Sequence, residues 1–239
     1  MSNPIFLAID KPRRRDALAL LASVKHLIGG VKLGLEFFTA EGPDGIAAIM
    51  ASAPDLPLFL DLKLHDIPNT VAAAVASVAH LKPSFITVHA LGGEAMIEAA
   101  VEATTQSSHS SPPKILAVTV LTSLNEADLA ATGQNGPVED QVERLACMAI
   151  ASKASGLICS PHEIARLRRA IGRKPVLMVP GIRPQGAALG DQKRTMTPQD
   201  AITAGADFLV IGRPISAADN PVQATENILK ELQQQESGL

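Results

Sequence analysis

Ile5-Phe6-Leu7-Ala8-Ile9-Asp10-Lys11-Pro12 opens as an unbroken apolar run, stops on a carboxylate and continues with a basic residue and a proline. A run without apolar/polar alternation suits a strand buried on both faces, as in a parallel sheet covered by helices. A doubly wound open sheet usually carries a Gly-rich fingerprint after its first strand. Here that position holds Ile9-Asp10-Lys11-Pro12, which favours a closed barrel.

The pattern repeats along the chain. Short runs rich in Val, Ile, Leu and Phe at 5–9, 30–34, 57–62, 84–89, 115–120, 156–159, 175–179 and 207–211 read as eight strands. Between them, Ala-rich segments with apolar residues at three- and four-residue spacing predict helices over 14–28, 41–52, 68–81, 93–106, 138–154, 161–171, 198–204 and 221–235. Ser160-Pro161-His162-Glu163 reads as a capping box, and Thr197-Pro198 and Asn220-Pro221 repeat the cap-then-proline start. Eight βα units in 239 residues match an α/β fold of the (β/α)8 TIM-barrel type, with one domain expected over 1–239. The linker-like stretch Gln106 to Lys114 falls where a helix-to-strand loop is due, and the tail Gln233 to Leu239 is expected to fray.

Composition removes several function classes. With 21 Lys and Arg against 24 Asp and Glu, the net charge of -3 gives no basic field for nucleic acid. The aromatic side chains are six Phe, too few for stacking platforms. Cys147 and Cys159 form no CxxC pair, so neither a disulfide framework nor a zinc knuckle is indicated and a reducing cytoplasm is the default location. The N-terminus places its apolar run before its basic cluster, the reverse of a secretory signal, and no apolar stretch is long enough to cross a bilayer.

In a barrel, function sits where strands end and βα loops begin. Polar residues gather there: Asp10 after the first strand, Lys32 in the second, Asp61, Lys63 and Asp66 at the third, His89 at the fourth, Thr122 and Ser123 near the fifth. Asp61 and Lys63 are two apart and so share one side of a strand. Burying them requires pairing, and Lys32, Asp61, Lys63 and Asp66 sum to zero charge as an alternating array. Such an array is either catalytic or a structural ion-pair network; the rim position favours the former. Asp10 alone fits a functional carboxylate or a helix cap, and His65 and His89 fit structural roles as well as chemical ones. Later, Pro180-Gly181-Ile182-Arg183-Pro184 and Ile211-Gly212-Arg213-Pro214 follow strands seven and eight, where barrels bind phosphate, with Gln192 as a further donor in the long loop between. A phosphorylated substrate is implied.

The run Asp61-Leu62-Lys63-Leu64-His65-Asp66-Ile67-Pro68-Asn69-Thr70 resembles the signature of the orotidine 5′-phosphate decarboxylase family, bacterial type. Ala8-Ile9-Asp10, Val31-Lys32-Leu33-Gly34, Leu121-Thr122-Ser123 and the two phosphate loops extend that resemblance over essentially the whole chain. The resemblance implies decarboxylation of orotidine 5′-phosphate to UMP, the last step of pyrimidine nucleotide synthesis, with no metal or organic cofactor. By the same analogy Lys63 stabilises and protonates a C6 carbanion beside Asp61, and Lys32 and Asp10 bind ribose. Thr122 or Ser123 contacts the pyrimidine, while Arg183, Gln192, Gly212 and Arg213 hold the phosphate. Asp66, Ile67 and Thr70 are expected to enter the partner's site in a homodimer. Phosphate binding would also close the loop from Arg183 to Thr197 over the site. DxKxxD alone is shared with metal-dependent phosphosugar barrels; those want another carboxylate at the second strand, where this chain has Lys32. A nucleotide-sensing barrel is the non-enzymatic rival, and it would not need Lys63.

Overall fold

The eight apolar runs are strands, and they close on themselves. In the computed structural model, which describes residues 3–105, 112–184 and 195–233, the strands are β1 (Ile5–Ala8), β2 (Gly30–Gly34), β3 (Leu58–Leu64), β4 (Phe85–His89), β5 (Lys114–Val118), β6 (Gly156–Ile158), β7 (Val176–Val179) and β8 (Phe208–Ile211). All neighbours are parallel, and β1 also pairs with β8, Leu7 opposite Ile211, which completes the barrel. The helices α1 (Arg14–Val24), α2 (Leu35–Ala51), α3 (Pro68–Val78), α4 (Glu94–Thr105), α5 (Glu126–Ala131), α6 (Val138–Ala151), α7 (Ile164–Ile171), α8 (Pro198–Ala204), α9 (Arg213–Ser216) and α10 (Pro221–Gln233) follow in sequence.

Two cores result from the two faces of the strands. Outward residues such as Leu7, Leu33, Leu60 and Ile86 meet the inner faces of the helices, through Leu21, Phe37 and Val75 among others. Inward residues fill the barrel, and at its N-terminal end Phe6, Phe59, Phe85 and Phe208 pack edge to face, with centroids from 5.2 to 6.4 Å apart. Gly30 makes room for this plug, since a Cβ there would come within 2.3 Å of the Phe6 ring. The next inward layer is mixed: Ala8, Val118, Ile158, Met178 and Val210 are apolar, whereas Lys32, Asp61 and Thr87 are polar and buried. The aromatic plug therefore closes one end, and charge accumulates toward the other.

Several boundaries differ from the sequence expectations by a few residues, and four differences bear on the site or the element count. Helix α2 starts at Leu35 rather than at 41, because Gly42 (φ 62°) bends it instead of beginning it and Pro43 opens the second segment. Strand β3 runs to Leu64, past the expected end at 62, and so carries Asp61 and Lys63 within one element. The short helices α5 and α9 were not expected; six and four residues long, they lack room for a helical period. The cap signals hold: Asp200 N–H donates to Thr197 Oγ1 at 3.1 Å, Gln223 N–H to Asn220 Oδ1 at 3.1 Å, and Ser160 N–H to the Glu163 carboxylate at 2.8 Å. Gln192, most of the loop from Arg183 to Thr197, and the expected helix ends at 106 and 234–235 lie outside the described residues.

Candidate active site

At the C-terminal end of the barrel, β1, β2 and β3 stand side by side and project their last inward side chains toward one another. Lys32 Nζ lies 3.6 Å from Asp10 Oδ1 and 3.4 Å from Asp61 Oδ2, and Lys63 Nζ lies 2.8 Å from both Asp61 oxygens. The order Asp10, Lys32, Asp61, Lys63 alternates in sign and sums to zero. The array expected from sequence had Asp66 as its second carboxylate; within one subunit Asp66 does not join the quartet. Asp66 follows the end of β3, is exposed, and accepts from the Ile67 N–H at 2.7 Å; Asp10, two residues beyond β1, is the second carboxylate within the subunit. The inward direction of β3 ends with Lys63, and the chain has turned outward by 66.

Exposure orders these four groups. The side chains of Asp61 and Lys32 are 10% and 11% exposed, that of Lys63 is 31% exposed and lines the cavity, and that of Asp10 is 52% exposed. Burial alone would push the Asp61 carboxyl up; the charges of Lys32 and Lys63, with hydrogen bonds from Lys63 and Thr87, outweigh it and hold Asp61 below the usual carboxylate range. Asp61 is thus an anion at neutral pH. Gly34 supports the packing, because a Cβ there would stand 3.0 Å from Lys32 Nζ.

Thr87, on β4, was not singled out from the sequence. Its hydroxyl donates to Asp61 Oδ1 and accepts from the Lys63 N–H, each at 2.9 Å. The signal was present in the period of β4, where Thr87 lies two before His89 and so shares its face, but nothing in the sequence reveals what it opposes. His89 stacks on His65 with centroids 5.3 Å apart, and burial, then the charges of His65 and Lys63, lower its pKa.

A cavity of about 250 Å³ opens above the quartet. Asp10, Lys32, Asp61 and Lys63 line one side; Gly181, Arg183, Gly212 and Arg213, from the loops after β7 and β8, line another. Val118, Leu121 and Ile158 supply an apolar flank, where Thr122 reaches the lining and Ser123 does not. The bridge between Ile182 and Met196 anchors the first phosphate-type loop, with Arg183 N–H donating to the Met196 carbonyl at 2.9 Å. Gly181 (φ 81°) needs the conformation that glycine adopts freely. Ile67 and Thr70, expected to serve another subunit, are exposed and do not line this cavity, Ile67 at 65% exposure. Among the described residues no cluster of His, Cys, Asp and Glu is arranged to hold a metal ion.

Comparison with known proteins agrees with this layout. Residues 3–228 match the profile described as orotidine 5′-phosphate decarboxylase / HUMPS family. The orotidine 5′-phosphate decarboxylase of Paramagnetospirillum magneticum is 50% identical over 235 residues, 97% of this chain and 99% of that protein. That of Thermobifida fusca is 48% identical over 233 residues, covering 98% and 97% of the two chains. The crystal structure of the orotidine 5′-phosphate decarboxylase from Lactobacillus acidophilus superposes with a TM-score of 0.82 at 38% identity, over 96% of this chain and 99% of that one. With the closed barrel, the charged quartet and these near full-length matches together, the chain belongs to the orotidine 5′-phosphate decarboxylase / HUMPS family.

Proposed function

We propose that this chain is a carboxy-lyase that converts orotidine 5′-phosphate to UMP and CO₂, using its own side chains and no metal or organic cofactor. The observation that carries the reading is the Lys63 ammonium, which lies between the buried Asp61 carboxylate and the cavity. Loss of CO₂ breaks the bond from C6 to the carboxyl carbon and leaves the electron pair on C6, in the plane of the ring, where no π system accepts it. Stabilisation must then come from fixed charge. An ammonium already oriented by Asp61 needs no reorganisation as that charge develops, and it holds a proton to give to C6. Water returns the proton to Lys63 afterwards.

The remaining assignments rest on the family resemblance, and the places of Asp10, Lys32, Thr122, Arg183 and Arg213 on the cavity lining support it. Asp61 stands where the substrate carboxylate would lie, and the repulsion between them falls as CO₂ departs. Lys32 keeps Asp61 ionised and, with Asp10, receives the ribose hydroxyls. Thr122 contacts the pyrimidine edge, and Arg183 and Arg213 hold the phosphate on the far side, with Gly212 allowing close approach and Gln192 as a further donor. Asp66, Ile67 and Thr70 complete the site of a second subunit in a homodimer.

Loss of the orotidine 5′-phosphate chromophore on mixing with protein in EDTA tests the reading. Turnover is expected with the wild type, and Lys63→Ala is expected to reduce kcat at least about a thousandfold, since both charge stabilisation and proton donation are lost. Activity that needs added Mg²⁺ would replace this reading with a metal-dependent one, and tight UMP binding without turnover would replace it with a nucleotide sensor.

A further inference from the structure

Lys63 sits in the left-handed region at φ 49°, uncommon for a residue with a Cβ and found mostly where surrounding structure imposes it. Pairing between β3 and β4 shifts register between Leu60 and Leu64, across this residue. At the break the Lys63 N–H finds a side chain rather than a ladder carbonyl, and donates to Thr87 Oγ1 at 2.9 Å. Having accepted from an amide, the Thr87 hydroxyl has one proton to place, and it donates to Asp61 Oδ1 at 2.9 Å. Asp61 in turn receives Lys63 Nζ on both oxygens at 2.8 Å. The bonds form a closed circuit: Lys63 backbone, Thr87 hydroxyl, Asp61 carboxylate, Lys63 ammonium.

We propose that Thr87 is a positioning residue for the Lys63 ammonium. It acts at both ends of the lysine, holding the backbone in the left-handed conformation and fixing the carboxylate that directs Nζ toward the cavity. Thr87 lies off the lining of the cavity and is fully buried, so it acts through Lys63 and Asp61 and does not meet the substrate. The residue type is specific. Valine has the same shape and neither bond; serine keeps both bonds and loses only a methyl group. The inference rests on the reading of Lys63 as the group that faces C6.

The test compares wild type, Thr87→Val and Thr87→Ser for kcat and KM with orotidine 5′-phosphate, for UMP affinity, and for hydrogen exchange at the Lys63 amide. Thr87→Val is expected to lower kcat about 10- to 100-fold, the loss that follows when a buried hydrogen bond to a charged group is removed. UMP affinity is expected to stay within about threefold, because UMP has no C6 carboxylate and is held at its phosphate and ribose. Thr87→Ser is expected to regain at least about a third of kcat, and the Lys63 amide to lose protection in Thr87→Val and keep it in Thr87→Ser. An unchanged kcat in folded Thr87→Val would overturn the proposal, as would a Thr87→Ser no better than Thr87→Val, or a parallel fall in kcat and UMP affinity. Should Thr87→Val not fold, Thr87→Ala, which also lacks the hydroxyl and relieves packing, is read in the same way. If the wild type fails to turn over, the functional reading fails; exchange still decides the geometry, with equal protection in all variants counting against Thr87.

Discussion

Asp61 holds two ammonium groups in a place where water is scarce, and its own charge is what makes them compatible. Lys32 at 3.4 Å and Lys63 at 2.8 Å both lean on one carboxylate. Neutralising it leaves two cations facing each other with only the half-exposed Asp10 beside Lys32 as counter-charge, and removing one partner of a buried pair costs up to about 3–5 kcal/mol. Asp61→Asn is therefore expected to lower the denaturation midpoint at neutral pH. Its pH dependence carries the sign. The folded pKa of Asp61 lies below its unfolded value of about 3.9, so its stabilisation is complete above that pH and is lost as pH falls through the folded value. Denaturant titrations from pH 7 to pH 3 are expected to show a smaller loss in Asp61→Asn than in wild type; parallel losses would mean that the carboxylate is not held by the lysines. At this scale the sequence was legible where period two decides direction, as for Asp61 and Lys63. Lys32 and Asp61 were likewise paired correctly. It gave no direction at Asp66, since a strand's inward alternation stops where the strand does, and it was silent on Thr87, whose position exists because β3 and β4 slip past each other.

The elements matter here chiefly as a means of bringing distant loops together. Strand β8 pairs with β1 and β7 pairs with β8, so closure carries Arg183 and Arg213 to the rim that holds Asp10. A substrate whose phosphate is held there has its ring set against the quartet by the geometry of the barrel, and the binding energy of the remote group is used at the reacting carbon. Arg213→Ala is expected to lower kcat as well as raise KM, each about tenfold or more; a rise in KM alone, measured with saturating substrate, would show that the phosphate merely anchors. The two Gly-Arg loops were legible because they follow strands seven and eight, and the eight strands because runs buried on both faces are apolar at nearly every position. Helix α2 was half missed because Gly42-Pro43 reads as a boundary, whereas in the structure a positive φ at Gly42 bends a helix that had already begun at Leu35. Helices α5 and α9 carry too few residues to show periodicity, and α9 matters to the site because its first residue is Arg213.

At the scale of the whole molecule, the loops after β2, β3 and β4 expose large apolar side chains on adjacent parts of one rim: Leu35 (54%), Ile67 (65%) and Leu91 (41%). Neighbouring strands place these residues together, and the exposed Asp66 and Thr70 lie on the same loop and helix start as Ile67. A rim of this kind suits the self-complementary contact of a two-fold dimer, in which a patch meets its own copy. The proposed dimer gives a prediction that no monomeric enzyme satisfies. If Lys63 comes from one subunit and Asp66 from the other, Lys63→Ala and Asp66→Ala are each inactive as homodimers. A mixed dimer holds one site lacking both residues and one site lacking neither. Random exchange in an equal mixture makes half of the dimers mixed, so about a quarter of all sites regain both groups. Mixing the two purified variants under conditions that allow subunit exchange is therefore expected to restore about one quarter of wild-type activity, rising from near zero on the timescale of exchange. Ile67→Asp, which places a charge in the middle of the apolar rim, is expected to weaken association and make activity depend on protein concentration, read by sedimentation alongside turnover. Two variants that stay inactive when mixed, while a tag-exchange control shows mixed dimers forming, would place Asp66 and Lys63 in separate functions and return the rim to an ordinary exposed surface.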